Sequence, residues 1–288
     1  MRKYWRQIAA AVLAVILLLL GLDLRFGLFQ EDGQYLPVLM YHHFEDPPDY
    51  GPVLTETCFR EQMTALKNAG FSSVTLEQVR DYVYDGVPLP EKPVLITIDD
   101  GYTSNLTVAA PILEELGYQA TVFVIGIYEG ETIDPRDGNP ICWDRFSYEE
   151  ALPWVEKGVL DLQSHSFDMH RLVQDGVSVR DAMLPAEGET EDAYLQALQE
   201  DFDQFRQRRE GRVPTELTAL AFPYGYWNDT LNSFLAGQGI LFTFTTVNFC
   251  TRLETGNPDC LYRMGRFNMT EHVSGEYLVK KLERAVKG

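Results

Sequence analysis

The sequence predicts an α/β fold in which a parallel sheet or barrel is wrapped by helices. Short apolar runs of strand length alternate with segments of helical periodicity along most of the chain. Repeated strand–helix units are typical of parallel sheets, because each helix carries the chain back to the start of the next strand. Aspartate, histidine and tyrosine residues also follow several of the apolar runs directly, where a parallel barrel gathers its functional groups.

The strands are predicted from short apolar runs that are bounded by polar or turn-forming residues. They lie at residues 37–41, 93–98, 120–125, 160–163, 219–222 and 240–243, and one more short strand begins at Val74. The run at 93–98 leads into two aspartates, and the run at 160–163 leads into a histidine motif.

The helices are predicted from apolar residues at helical spacing. Phe59, Met63 and Leu66 form such a stripe before Gly70, so a helix covers residues 59–69. A long charged helix at 191–209 presents one apolar face that is built from Tyr194, Leu198, Phe202 and Phe205. The other predicted helices lie at residues 76–84, 105–116, 148–156, 228–235 and 277–286.

The N-terminus is predicted to be a transmembrane or signal-anchor helix. A basic start precedes an uncharged stretch at residues 8–22, a pattern typical of export signals. The stretch is shorter than the ~20 residues that span a bilayer comfortably, but no good small-x-small cleavage site follows it, so an uncleaved anchor is favoured over a cleaved signal peptide. We divide the chain into this segment at 1–29, a linker at 30–36 and a domain at 37–288. The basic start places that domain outside the cytoplasm.

The composition restricts the partners. The formal net charge of −19 argues against nucleic acid, because phosphate binding needs clustered Lys and Arg. An acidic surface permits a neutral or cationic substrate, although it can also serve solubility alone. Cys250 and Cys260 flank a turn at residues 256–259, and an exported domain allows them to form a disulfide or to stay reduced.

Two motifs carry the candidate metal chemistry. Asp99 and Asp100 end one apolar run, and His165 and His170 follow another. One carboxylate and two imidazoles suit Zn²⁺ with coordination positions left open, and the second carboxylate then remains to accept a proton from water. In a helix the two histidines would point about 140° apart, so they converge only in a loop or short turn. Alternatively, Asp-Gly forms only a turn here and the histidines are unrelated surface residues.

These residues resemble the motifs of the polysaccharide deacetylases, carbohydrate esterase family four. Residues 97–101 are similar to the first motif, 164–170 to the second and, more loosely, 221–225 to the third. The resemblance covers roughly residues 37–284 and implies a distorted (β/α) barrel. It also implies a divalent metal, Zn²⁺ or another ion such as Co²⁺, bound by Asp100, His165 and His170. It further implies that Asp99 is the general base and that the backbone N–H of Tyr224 stabilises the oxyanion.

Two features depart from the family pattern. Ala221 stands where the third motif usually begins with an arginine that orients the catalytic aspartate, and no late motif supplies a general acid. Residues 38–43, however, resemble the N-terminal segment of the poly-N-acetylglucosamine deacetylase branch, in which the motif order is permuted. That resemblance implies His42 as the acid and His43 as the second choice, while a structural role stays open for either.

The resemblance implies a metal-dependent hydrolase that removes N-acetyl groups from N-acetylglucosamine units of a cell-surface polysaccharide similar to poly-N-acetylglucosamine. The expected location is the cell membrane with the domain outside, or secretion if the first segment is cleaved. One alternative is an enzyme acting on peptidoglycan. Another is a catalytically inactive glycan-binding relative, which the missing arginine at Ala221 favours. Retention of Asp99 argues against inactivity, because glycan binding requires no base.

Overall fold

A curled parallel sheet forms the centre of the protein, and the computed structural model describes residues 33–48, 52–176 and 178–287 of it. The strands are β1 (Gly33–Leu36), β2 (Val38–Tyr41), β3 (His43–Phe44), β4 (Val53–Leu54), β5 (Ser72–Ser73), β6 (Pro93–Asp100), β7 (Ala120–Val124), β8 (Leu160–Ser164), β9 (Ala219–Ala221), β10 (Phe242–Phe244), β11 (Thr251–Glu254) and β12 (Phe267–Asn268). The α-helices are α1 (Glu56–Asn68), α2 (Leu76–Asp85), α3 (Ala110–Leu116), α4 (Tyr148–Glu156), α5 (Glu191–Arg209), α6 (Asp229–Gly237) and α7 (Gly275–Ala285).

The predicted anchor at residues 1–29 lies outside the described residues, as do residues 30–32 of the predicted linker. Gly33–Leu36, which we assigned to the linker, forms β1 instead. Throughout the described ranges, no helix combines the length and the apolar character that crossing a membrane requires.

The central sheet has the strand order β10-β9-β8-β7-β6-β2-β12, and β5 adds to β6. All of these pairs are parallel, which agrees with the predicted alternation of strands and helices. The segment at residues 264–268 lies across the gap between the two edges. Met264 forms a bridge with Phe244 of β10, and Phe267 pairs with Leu39 of β2. The sheet is therefore curled into a distorted, incompletely closed barrel.

Alternate residues of the central strands face opposite sides of the sheet, as the twofold repeat of a strand requires. In β6 and β8 one set packs in the large core cluster that includes residues of α1, α3, α4 and α7: Val94, Ile96, Ile98, Leu160 and Leu162. Leu95 of β6 and Phe123 of β7 belong to a second cluster, together with residues of β9, β10 and α2. Polar residues in register with this second set, such as Asp99, therefore face the interior of the barrel.

Side-chain caps fix the starts of the helices close to the predicted positions. Thr75 and Gln78 form a capping box at α2, and Ser147 and Glu150 form one at α4. The helix predicted at 105–116 begins differently, with a π-helical turn at Asn105–Ala109 before α3. In that turn Asn105 Nδ2 donates to the backbone oxygen of His42 over 2.7 Å, so the irregular start ties the helix to the end of β2.

The disulfide considered between Cys250 and Cys260 is not formed, since both residues carry unbonded thiols. Cys250 packs against the large core cluster, whereas Cys260 packs against the cluster inside the barrel. The turn between them therefore directs the two side chains into different parts of the core.

Candidate active site

The predicted site residues lie at the carboxyl ends of neighbouring parallel strands. His42 follows β2, Asp99 and Asp100 end β6, His165 follows β8, and Tyr224 follows β9. Because these strands are parallel, their carboxyl ends lie on one side of the sheet, where α/β proteins place ligand sites.

Asp100, His165 and His170 form a compact cluster. Asp100 Oδ1 lies 3.5 Å from His165 Nε2 and 3.6 Å from His170 Nε2. One potential ligand atom from each of the three residues lies within 4.8 Å of the others. The five-residue spacing of the histidines is accommodated because residues 165–170 form a non-helical turn.

A backbone hydrogen bond determines the tautomer of His165. Its Nδ1 lies 2.8 Å from the carbonyl oxygen of Ala221, and because a carbonyl can only accept, Nδ1 must carry the proton. In the neutral ring Nε2 is then the unprotonated nitrogen, and it faces Asp100. Ala221, at the position of the missing arginine, thus orients a histidine of the cluster through its main chain.

Positive φ angles explain how adjacent residues reach one site. Strict strand alternation would put Asp99 and Asp100 on opposite sides of the sheet, but Asp100 has φ 76°. Ser166, directly after His165, has φ 68°, and Tyr224 has φ 57°. Such angles are uncommon outside glycine and often occur at functional sites. Here each of the three motifs contains one, so the backbone departs from regular structure where the side chains converge.

The cluster fits the divalent ion that the resemblance implies. Asp100 Oδ1 is buried and has no hydrogen-bond partner within the described part of the chain, while it faces two imidazole nitrogens. A buried carboxylate oxygen without a donor is unfavourable, and a cation would satisfy it. Two imidazoles and one carboxylate form a donor set that suits zinc and similar ions and leaves positions open.

The protonation states also suit metal binding. Burial opposes the charge on Asp100, but the neighbouring histidines, His170 foremost, hold the pKa of Asp100 well below its ordinary value. Burial lowers the pKa of His170 to about 4. At neutral pH the carboxylate is therefore charged and this imidazole is neutral, which are the forms that metal ligands require.

Asp99 is held by an arginine that the sequence analysis did not identify. Arg266 Nη1 donates to Asp99 Oδ1 over 2.7 Å, and Nη2 donates to Oδ2 over 2.8 Å. Arg266 is fully buried, and its Nε donates to the backbone oxygen of Thr245. Burial is the largest single influence on Asp99 and would raise its pKa, but the guanidinium of Arg266 and the neighbouring His165 and His42 together hold that pKa below its ordinary value. Asp99 is therefore ionised and fixed in orientation.

Arg266 makes the arginine–aspartate contact that the alanine at position 221 cannot make. In the chain, Arg266 immediately precedes β12 and is not part of the third motif. In space, its segment lies in the gap between β10 and β2. A strand of two residues has too little pattern to be predicted. The one sequence feature that could have indicated a buried arginine here is its position between two apolar residues, Met264 and Phe267, which are both buried. The argument for inactivity from Ala221 therefore loses its basis.

His42 and His43 occupy different environments. His42 Nε2 lies 3.9 Å from Asp99 Oδ2, so its ring faces the site. His43 instead packs beside Tyr102 and Trp143, with its Nδ1 2.9 Å from Ser104 Oγ. Of the two histidines, His42 is the one that lies beside Asp99.

Tyr224 lies beside His170 at the edge of the site. Its ring centroid is 4.5 Å from that of His170, and the side chain is exposed. The next residue must be glycine, because a Cβ at Gly225, where φ is +77°, would lie 2.2 Å from Thr246 Oγ1. The tight turn over Pro223–Gly225 thereby holds Tyr224 beside His170 of the candidate ligand cluster.

A family model described as polysaccharide deacetylase matches residues 86–242, which is more than half of the chain. The matched range contains Asp99, Asp100 and both histidines of the cluster, but neither His42 nor Arg266. Two residues that face Asp99 are thus contributed from outside the matched range.

Relatives named poly-beta-1,6-N-acetyl-D-glucosamine N-deacetylase are similar in sequence. The chain is 25% identical to the one from Escherichia coli K12 over 187 residues, 60% of this chain and 28% of that relative. It is 26% identical to the one from Staphylococcus epidermidis over 228 residues, 79% of this chain and 71% of that relative. The chain thus spans little more than a quarter of the length of the Escherichia coli protein.

Solved structures share the fold. IcaB from Ammonifex degensii superposes with a TM-score of 0.71 at 23% identity, covering 87% of this chain and 97% of that one. A de-N-acetylase from Aggregatibacter actinomycetemcomitans superposes with a TM-score of 0.73 at 19% identity, covering 86% and 99%. Because the sequence identities are only 19–23%, the structural similarity establishes the fold of the chain alone.

Proposed function

This chain belongs to the polysaccharide deacetylase family, and from that premise we propose that it is a metal-dependent N-deacetylase of poly-N-acetylglucosamine-like polysaccharide at the cell surface. The observation that carries the proposal is the ionised Asp99, clamped by Arg266, beside a cluster with the composition of a metal site. Asp99 Oδ2 lies 3.8 Å from His165 Nε2, so a proton acceptor and the three candidate ligands share one small volume.

The reaction is hydrolysis of an acetamide. The carbonyl carbon gains a hydroxyl group from water, the C–N bond breaks, and the nitrogen takes up a proton, so acetate and a free amine form in equal amounts. A divalent ion bound by Asp100, His165 and His170 would supply Lewis acidity to the acetamide carbonyl and lower the pKa of a water from about 15.7 toward about 7.

The protein side chains move the protons. Asp99 accepts a proton from the attacking water, and the two hydrogen bonds from Arg266 keep its carboxylate in one orientation. His42, whose Nε2 lies 3.9 Å from Asp99 Oδ2, protonates the departing nitrogen. The backbone N–H of Tyr224 donates to the oxyanion that develops on the carbonyl oxygen. The positions of Asp99, Arg266 and His42 support the first two roles, and the family resemblance supports the role of Tyr224.

The substrate class is supported by the relatives, whose names specify β-1,6-linked poly-N-acetylglucosamine. The acidic composition agrees with a polymer that becomes cationic as it loses acetyl groups. Zinc is the proposed ion, because the donor set of two imidazoles and one carboxylate is common at catalytic zinc sites. The proposed location, anchored in the membrane with the domain outside, is supported by the basic and then apolar start of the sequence.

A substrate panel tests this proposal. The full chain, loaded with Zn²⁺ or Co²⁺, should release acetate from poly-N-acetylglucosamine with a higher kcat/KM than from chitin oligomers or peptidoglycan. Acetate is measured enzymatically and the new amines by fluorescamine. A preference for peptidoglycan would replace the proposed substrate with the alternative one. No acetate from any of the three glycans at full metal occupancy would favour an inactive glycan-binding relative.

A further inference from the structure

The turn between His165 and His170 is held by a carboxylate from a different part of the chain. Asp201, in the middle of α5, points its side chain at this turn and is 5% exposed. Its Oδ2 accepts from the backbone N–H of Phe167 over 2.8 Å, and its Oδ1 accepts from that of Asp168 over 2.7 Å. Both oxygens of one buried carboxylate are thus used to hold two successive amides.

The opposite side of the same turn is also fixed. The carbonyl oxygens of Ser166 and Phe167 accept from the backbone N–H groups of Gly126 and Ile127, over 3.0 and 2.9 Å. A Cβ at Gly126 would lie 2.7 Å from the Phe167 ring, so the turn packs directly on this backbone. The turn is therefore held between the end of β7 and helix α5.

The side chain of Asp168 adds a third point of attachment. Arg136 Nη1 donates to its Oδ1 over 3.2 Å, and Arg171 Nη2 donates to its Oδ2. These contacts surround the residues that connect the two histidines of the cluster. His170 comes two residues after Asp168, so the position of its imidazole depends on how this turn is held.

We propose that Asp201 is a positioning residue for His170, which it sets in place for metal binding by fixing the backbone of residues 167 and 168. The proposal rests on the proposed metal-dependent function. Helix α5 carries Leu198, Phe202 and Phe205 on the same buried face, where an apolar residue would otherwise pack. Burial raises the pKa of Asp201 to about 6, so its two hydrogen bonds do not fully offset the loss of water.

The test compares Asp201→Asn with Asp203→Asn, an exposed aspartate of the same helix whose partner is Gln199. The side chain in Asp201→Asn has one oxygen and one NH₂ group. One of the two backbone N–H groups of the turn therefore keeps its acceptor, whereas the other faces a donor and must move. We expect the Kd for Zn²⁺, measured by competition with a chromophoric chelator, to rise about 10- to 100-fold, as for other groups that orient metal ligands. Asp203→Asn should leave it unchanged.

Two further measurements separate positioning from a general structural role. The visible spectrum of the Co²⁺-loaded protein should change in Asp201→Asn, because it reports the geometry of the ligands, whereas Asp203→Asn should match the wild type. If Asp201→Asn does not fold, Asp201→Glu retains the charge but displaces the oxygens by one methylene, and it should show the same direction of change. Wild-type Zn²⁺ affinity and Co²⁺ spectrum in the folded variant overturn the positioning role alone. Failure of the wild-type chain to bind Zn²⁺ overturns both this role and the proposed function.

Discussion

Replacing Asp99 with asparagine is expected to reduce kcat for acetate release by about 10²- to 10⁴-fold, the usual contribution of a positioned proton acceptor. An amide cannot accept the proton of the attacking water, although it has nearly the shape of the carboxylate. Zn²⁺ affinity should stay close to that of the wild type, since Asp100, His165 and His170 form the ligand cluster without Asp99. Steady-state acetate release and a Zn²⁺ titration on the same preparation measure the two quantities.

Asp100→Asn is the matched comparison for Asp99→Asn. It changes the neighbouring carboxylate by the same atoms, but it should lose metal and activity together. Asp99→Asn should separate the two properties. Unchanged acetate release in Asp99→Asn would show that another group accepts the proton, and loss of metal in that variant would place Asp99 among the ligands.

Replacing Arg266 with methionine is expected to destabilise the fold by about 3–5 kcal/mol, the usual cost of removing one partner of a buried ion pair. The change leaves the carboxylate of Asp99 buried without its two hydrogen bonds from the guanidinium. Burial then raises the pKa of Asp99, so activity at neutral pH should also fall. Denaturant unfolding of the metal-free protein measures the stability, and kcat/KM measures the activity.

A double variant tests whether the effect of Arg266 acts through Asp99. The combination Asp99→Asn with Arg266→Met removes both buried charges, so it should be more stable than Arg266→Met alone. Arg266→Lys keeps the charge but loses the forked pair of hydrogen bonds, and it should fall between the wild type and Arg266→Met. Additive losses of stability in the double variant would contradict a direct interaction between the two residues.

Much of the fold could be predicted because its elements carry strong local signals. Residues 148–156 and 191–209 were predicted as helices, and α4 and α5 have these bounds, since capping serines and threonines and buried apolar faces define them. The long apolar runs that became β6, β7 and β8 were equally clear. The short strands β1, β3, β4, β11 and β12 were not predicted, because none of them contains the run of three or more apolar residues that identified β2 and β9.

The site could be predicted only in part, because some of its residues are brought together by tertiary structure and not by a local sequence pattern. The residues at or just after the ends of long strands, such as Asp99 and His165, could be identified from their chemistry and position. Arg266 and Asp201 reach the site from an irregular segment and from the side of a helix, and tertiary structure alone brings them there. For Asp201 a signal existed, since a charged residue at position 201 interrupts the apolar face formed by Leu198, Phe202 and Phe205.

The most direct test of the account is to remove and restore the metal while measuring both products from poly-N-acetylglucosamine. The full chain treated with a chelator and then freed of it should release neither acetate nor free amine above the rate without protein. Adding about one equivalent of Zn²⁺ should restore the release of both in a one-to-one ratio, and it should fail to do so for the metal-free Asp100→Asn variant. Undiminished acetate release from the chelated protein would contradict the account, as would acetate formed without an equal amount of amine.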